Sequence, residues 1–338
     1  MPQPQPQPPP GPPVPDVLLA TSIAPSDTST SIVLDLPRGP QIQSGRIELE
    51  DHRDLVYVSR PGADGRSLEL ALDLLVPRTS GPKPIVVYLT GGGFVVSPKE
   101  GALERRAHVA EAGYAVASVR YRTIMDGATY VDGVADVKSA IRFLRARAAD
   151  FGLDASRVAV WGESAGGYLA SMTGATWGIG RFETGDHEDQ SSEVSAVIDL
   201  FGPSDLLKTA ADFDEAARRA NLAPGNPASA YVFGPGSAKS LADDPAAVAE
   251  ADPARHVRPG TPPFLLLHGS ADTLISPSQT LLLHEALRAN GVESTRYVLT
   301  GAGHGDLGFL GDHEAVLPWT TRETMDLIVE FLDRKLKL

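Results

Sequence analysis

Val160-Trp161-Gly162-Glu163-Ser164-Ala165-Gly166-Gly167 is the stretch that decides how this chain folds. The residues leading into it, Arg157-Val158-Ala159-Val160-Trp161, form a short apolar, β-branched run of the kind buried strands use, and Ala165 to Met172 is rich in helix formers. Ser164 therefore falls on a strand-to-helix turn. Gly162 and Gly166, two residues to either side, leave room for unfavourable dihedrals at the serine and for close approach of helix to strand beneath it. A Gly-x-Ser-x-Gly pattern in that setting presents a serine hydroxyl at the top of a sheet. Five residues recur by chance, so the rest of the chain has to supply partners.

Upstream, Pro84-Ile85-Val86-Val87-Tyr88-Leu89-Thr90-Gly91-Gly92-Gly93-Phe94 is a second buried-strand run, ending in three glycines. Such a loop bares main-chain N–H groups. Those of Gly92 and Gly93, with the N–H of Ala165, are candidates to surround an oxygen that turns negative when Ser164 attacks a carbonyl. A serine at its free pKa is a poor nucleophile and needs a base, oriented in turn by a third group. Pro263-Phe264-Leu265-Leu266-Leu267-His268-Gly269-Ser270-Ala271-Asp272 is a strand followed by a loop acid, and Ser294 to Leu299 is a strand followed by Thr300-Gly301-Ala302-Gly303-His304-Gly305. Asp272 is the candidate orienting acid and His304 the candidate base, in the chain order Ser, Asp, His. Asp199 and Asp205 compete for the acid's role. His268 reads as a structural residue hydrogen-bonded to the main chain, Glu163 as a tie on the turn, and Asp306 as a solvated side chain. Asp186-His187-Glu188-Asp189 reads as a solvated loop, since four adjacent residues do not easily surround one ion. No metal and no cofactor is called for.

From Ile85 onward strands and helices alternate, which argues for a mostly parallel sheet with helices on both faces and sites gathered at its carboxyl edge. One long helix is expected over about 131–150, with Val134, Val137, Ile141 and Leu144 on its buried stripe, and a last one over about 321–336 built on Met325, Ile328, Val329 and Leu332. Two strands, Leu55 to Ser59 and Leu68 to Val76, joined at Gly62-Ala63-Asp64-Gly65, give the sheet an antiparallel start. After Ser204 the alternation breaks until about Pro253, with helical pieces expected at Ala211 to Ala220 and around Ala246 to Ala251.

Together these motifs resemble an α/β-hydrolase of the esterase branch related to hormone-sensitive lipase and to the acetyl and feruloyl esterases, over roughly residues 54 to 336. Asp199-Leu200-Phe201-Gly202-Pro203-Ser204-Asp205-Leu206 resembles the segment that follows the sixth strand in that branch. Thr90 departs from it, standing where the branch usually has a structural histidine before the three glycines. The resemblance implies the α/β-hydrolase fold with a small lid inserted after the sixth strand, so that Phe94, Leu206, Leu207, Tyr231 and Phe233 become candidates for the substrate-pocket wall. It implies a serine carboxylic-ester hydrolase working through an acyl-enzyme on Ser164, with short-chain acyl esters as the expected small-molecule substrates because no large lipase lid is evident. An acyltransferase or natural-product tailoring enzyme would use the same residues. A serine peptidase of the prolyl oligopeptidase type normally carries a large N-terminal domain, and only about 80 residues precede Ile85. A ligand receptor on this fold typically lacks one of the three catalytic residues.

The organisation expected is a Pro/Gln-rich tail over 1–15, an N-terminal arm over 16–53, a hydrolase core over 54–205 and 254–338, and the lid insertion over 206–253. The tail holds nine prolines, with neither a positive nor an apolar region of the sort a signal peptide has, so a cytoplasmic location is expected. Its docking on a partner or a neighbouring subunit is the one hint of a homo-oligomer. A net charge of −13 argues against nucleic-acid and anionic-membrane surfaces, and no run approaches the roughly 20 apolar residues of a membrane span. The chain has no cysteine, which excludes disulfides and a thiol nucleophile.

Overall fold

Nine strands form one sheet, and the computed structural model describes residues 18–35, 39–62, 65–305 and 316–337. The proline-rich tail, the middle of the Gly62–Gly65 turn and Asp306 lie outside the described residues. In chain order the strands are β1 (Ile32–Leu34), β2 (Leu49–Pro61), β3 (Ser67–Pro77), β4 (Lys83–Leu89), β5 (Ala115–Val119), β6 (Leu153–Glu163), β7 (Ala196–Leu200), β8 (Phe264–Gly269) and β9 (Ser294–Leu299). Across the sheet they run β1-β9-β8-β7-β6-β4-β5-β3-β2. Among the described strands, only β2 with β3 and β3 with β5 pair antiparallel. The strands from β4 to β9 pair parallel, and β4, β5, β7, β8 and the second half of β6 are buried throughout, as strands covered on both faces must be.

Helices cover both faces. One face carries α2 (Tyr130–Ala146), α4 (Ala165–Ala175) and α9 (Ser278–Ala289), with Val134, Ile141, Leu169 and Leu283 meeting Ile85, Val87 and Val160 of the strands. The other carries α1 (Leu103–Glu111) and α10 (Arg322–Leu336), where Val109, Met325 and Ile328 meet Val86, Trp161 and Ile198. The alternation of inward residues along Val158 to Trp161 thus feeds two cores with one strand.

Three expectations change in detail. Arg147 leaves helical geometry, so the expected long helix is α2 followed by a separate turn, α3 (Ala148–Phe151), closed by Gly152 at φ 63°. The stripe of the last helix continues through buried Phe331 at the i+3 position from Ile328, while Val329 is only partly buried. The N-terminal arm is not merely laid on the body: Ile32–Leu34 pairs in parallel with Tyr297–Leu299 and becomes the sheet's edge, so the strand expected to be sixth is seventh. Three residues with exposed Ile32 and Val33 carry too little pattern to read as a strand without their partner.

Within 206–253 lie α5 (Glu215–Leu222), α6 (Pro227–Phe233) and α7 (Pro245–Ala249), and α8 (Pro253–His256) follows. α5 begins four residues later than expected because the Asp214 carboxylate accepts the Ala217 N–H at 3.0 Å and caps the helix there. Residues 20–24 run against this segment, with the Thr21 N–H and hydroxyl on Asp214 at 2.9 Å and Ile23 bridging to Phe213. Among the described residues no helix is long and apolar enough to cross a membrane.

Candidate active site

Ser164 leaves β6 with φ 53° and ψ −123°, a backbone geometry that side chains rarely adopt, and its N–H donates to the Leu200 carbonyl at 2.9 Å. Crowding around it accounts for its two glycine neighbours. A β-carbon on Gly162 would stand 2.1 Å from the Gly166 carbonyl oxygen, and one on Gly166 would stand 2.1 Å from that of Leu89. Helix α4 therefore rests directly on the ends of β6 and β4, and its axis starts at the serine. Ala165 opens that helix, so its N–H has no preceding turn to bond to.

His304 and Asp272 arrive from loops after β9 and β8, and the structure brings the three side chains together. The Ser164 hydroxyl donates to His304 Nε2 at 2.9 Å, and His304 Nδ1 donates to Asp272 Oδ2 at 2.7 Å. The tautomer follows from the carboxylate, which only accepts. All three residues are at most 5% exposed. Burial pushes the Asp272 carboxyl up, but the charge and N–H of His304, together with the His268 N–H, outweigh it and hold it well below the usual carboxylate range. Asp272 therefore stays ionised at any pH where the imidazole is neutral, and that imidazole points its free lone pair at a hydroxyl. The arrangement is able to take a proton from Ser164 and to stabilise the cation that results.

The glycine loop after β4 stands beside it. Gly92 has φ 147° and a β-carbon there would come within 2.1 Å of the Val96 carbonyl oxygen, while Gly93 has φ 61°. The Gly92 carbonyl is turned into the loop, where it accepts from Val95 and Val96. Thr90 is buried with its hydroxyl unpartnered among the described residues, and its carbonyl accepts from the Tyr121 hydroxyl at 2.7 Å, which ties the loop from below. A cavity of about 500 Å³ opens next to this loop, lined among others by Gly91, Gly92, Glu163, Arg105, Leu103 and Gly305.

The five residues expected to wall a substrate pocket lie in or against the main core and are not among the residues that line that cavity. Phe94, Leu206 and Tyr231 are buried in the main core, Phe94 stacking on Tyr231 at 4.8 Å and meeting Tyr168 edge-on at 5.3 Å, and Leu207 and Phe233 are partly buried against it. Their apolar surface draws them into the core when nothing else covers it. The competing acids are occupied elsewhere: Asp199 accepts from Ser171 and the Gly202 N–H, and Asp205 pairs with Lys208. Burial lifts Asp199 to about 6 against those two hydrogen bonds. Glu163 is gripped by Arg105 at 2.5 and 3.0 Å and by the Tyr88 hydroxyl. Asp186 presents its carbonyl to Arg142 at 3.1 Å.

Sequence reasoning missed the residues that hold these in place. Phe201 lies edge-on to His304 at 4.6 Å and to Trp319 at 4.5 Å, and the Trp319 indole donates to the Gly303 carbonyl at 3.1 Å. Arg105 likewise comes from a helix far from Glu163 in sequence. None of these contacts leaves a spacing signal, because each is made between elements that only the sheet brings together.

The model of the BD-FAE family matches residues 72–287. A probable isoprenylcysteine alpha-carbonyl methylesterase of Arabidopsis thaliana is 29% identical over 258 residues, 76% of this chain and 52% of that protein. The chain spans about half the length of the curated relatives it matches. Among solved structures, a truncated carbohydrate esterase from gut microbiota superposes with a TM-score of 0.71 at 22% identity, covering 88% of this chain and 99% of that one. A thermophilic esterase of Thermogutta terrifontis, solved with propionate bound, gives a TM-score of 0.60 at 26% identity, covering 85% and 94%. The fold expected from the sequence, a mostly parallel α/β-hydrolase sheet with helices on both faces, is the fold these proteins share with it.

Proposed function

The chain belongs to the BD-FAE family of α/β-hydrolases, and from that premise we propose that it is a serine carboxylic-ester hydrolase acting on short-chain acyl esters. The observation that carries the reading is the continuous run of hydrogen bonds from the Ser164 hydroxyl through His304 to Asp272, buried at the carboxyl edge of the sheet.

Ser164 attacks the ester carbonyl as His304 Nε2 takes its proton, and Asp272 steadies the imidazolium. The main-chain N–H groups of Gly92, Gly93 and Ala165 receive the oxygen that becomes negative, each such donor being worth about 3 kcal/mol in the transition state. His304 returns its proton to the departing alcohol, leaving an acyl-enzyme. Water then attacks the acyl carbon as it gives a proton to the same imidazole, and His304 returns that proton to the Ser164 oxygen as the acid leaves. Short acyl groups fit the reading because the insertion over 206–253, which we take as the lid, packs Leu206 and Tyr231 into the core, with Tyr231 stacked on Phe94 of the loop that follows the three glycines. The propionate held by the Thermogutta esterase points the same way. Acyl transfer would need an acceptor that outcompetes water in the same site.

Ser164→Ala is expected to leave the thermal unfolding transition in place and to lower turnover of 4-nitrophenyl acetate by about 10⁶, to the level of the uncatalysed reaction plus what the oxyanion donors supply. Turnover within tenfold of the parent would remove the nucleophile. A series of nitrophenyl esters from acetate to palmitate tests the acyl length, with equal rates along the series defeating the short-chain reading.

A further inference from the structure

Asp272 collects more donors than a serine–histidine pair requires. Its Oδ1 accepts the main-chain N–H groups of Leu274 and Ile275, both at 2.9 Å, and its Oδ2 accepts His304 Nδ1. That same Oδ2 also lies 3.2 Å from Nε2 of His268, the penultimate residue of β8, which is wholly buried. His268 Nε2 faces a second oxygen as well, the Ile275 carbonyl at 3.1 Å. A carboxylate and a carbonyl only accept, so Nε2 must carry a hydrogen, shared between the two.

The other ring nitrogen shows what holds that state. His268 Nδ1 is 3.1 Å from the hydroxyl of Thr280, in α9. That hydroxyl accepts from Arg296 Nε at 3.0 Å, and Arg296 is itself anchored on the Pro277 carbonyl and Ser31. With a guanidinium N–H fixed on its oxygen, the Thr280 hydroxyl has two acceptors in reach, the Pro277 carbonyl at 3.5 Å, which already takes Arg296, and the nearer Nδ1, to which its hydrogen turns. A continuous, directed chain results: Arg296 donates to Thr280, Thr280 to His268, and His268 to Asp272. Burial, assisted by the Arg296 charge, pulls the His268 pKa down against the hydrogen bond it donates to Asp272, which keeps the ring neutral, and burial brings Arg296 down only to about 10, which leaves it charged.

We propose that His268 is a positioning residue for the reaction, its tautomer set by Arg296 and Thr280 so that its Nε2–H shares Asp272 Oδ2 with His304. This rests on the reading of Ser164, His304 and Asp272 as the reacting set. The physical consequence has a sign. The His268 N–H disperses part of the charge on Oδ2; without it that oxygen attracts the His304 imidazolium more strongly, and a higher pH is needed before His304 serves as a base. The charged and titratable groups facing His268 are Asp272 and, through Thr280, Arg296, beyond which stand Glu285, Asp212 and Asp27.

The test uses the full chain with His268→Ala, Thr280→Val and Thr280→Ser, measuring kcat/KM for 4-nitrophenyl acetate across pH, per site titrated with a fluorophosphonate. His268→Ala is expected to lower the per-site rate about tenfold, the worth of one hydrogen bond to a charged group, and to move the acid limb to higher pH. Thr280→Val, which leaves Nδ1 without its donor, is expected to move the limb in the same direction by less. Thr280→Ser keeps the hydroxyl and is expected to restore the parent profile. Packing defects alone would reduce the number of titratable sites and leave the limb of the remaining ones where it was, and that result overturns the proposal. If His268→Ala does not fold, the Thr280 pair decides: identical limbs for Val and Ser overturn it. A parent chain that neither titrates nor turns over overturns the reading of the reacting set itself, and this proposal with it.

Discussion

The rim of the sheet and the segment from Leu206 to Pro253 are built on opposite terms. At the rim, Ser164, Asp272 and His304 each follow a strand, and the parallel ladder sets their spacing: β4 beside β6, β6 beside β7, β7 beside β8 and β8 beside β9. There is no slack, since a single β-carbon at Gly162 or Gly166 would strike main-chain oxygen at 2.1 Å. The inserted segment instead consists of helices of eight residues or fewer, shorter than those that hold together alone. Each is started by a side-chain cap, from Asp214, Asn226 or Asp244, and α5 is steadied from outside by Thr21 and Ile23. The difference teaches that the spacing of Ser164, Asp272 and His304 is carried by hydrogen-bonded strands, while the inserted segment is carried by caps and side-chain packing, the parts of a fold that rearrange at least cost.

The sharpest way to break the comparison is at the acid. Asp272→Asn keeps the size of the side chain but leaves His304 Nδ1 facing an amide, and it is expected to reduce kcat/KM per folded chain by about 10⁴, and to lower the unfolding midpoint at neutral pH because the ionised carboxyl is stabilised by its donors only in the folded state. A loss under tenfold would move the orienting role to another residue. Gly166→Ala comes next. With the new methyl forced against the Leu89 carbonyl, α4 has to lift off the sheet, at about 3 kcal/mol measured by urea unfolding, and the rate of phosphonate labelling at Ser164 should drop with it. An alanine as stable as the parent would show that the rim has slack after all.

The smallest effect belongs to the insertion and depends on pH. Burial lifts the Asp252 carboxyl to about 7 despite the Leu206 N–H that it accepts at 2.8 Å, with Asp205 adding to the rise. The folded chain therefore binds this proton more tightly than the unfolded one, and its contribution to stability falls as pH rises from about 4 to about 7. Asp252→Asn still accepts the Leu206 N–H and does not ionise. It is expected to raise the Tm at pH 8 by a few degrees, and to leave it unchanged near pH 4. Equal Tm values for both chains at pH 8 would show that Asp252 is not strained by its charge.

How much of this was legible varies with the range of the interactions. The glycines around Ser164, the glycine loop at Gly91 to Gly93 and the loops of Asp272 and His304 read directly, because each sits at the end of a short apolar run whose burial is written in its own residues. The helices α2 and α10 read nearly as well from their stripes. The strand at Ile32 to Leu34 did not, having no buried face of its own. The start of α5 was misplaced because a cap outweighed the propensity of the alanines before it. Phe201, Trp319, Arg105 and the Arg296–Thr280 relay left no trace, since their partners lie in other elements.

What the sequence determined by itself is the set of local conformations and the order in which Ser164, Asp272 and His304 come. Periodicity and glycine placement act over a few residues, and that range suffices to end a strand and begin a helix. What only the tertiary structure decided is which oxygen each donor finds, which side of the sheet each aromatic covers, and that one carboxylate serves two histidines. Those depend on distances between segments that the chain itself does not fix until the sheet has formed.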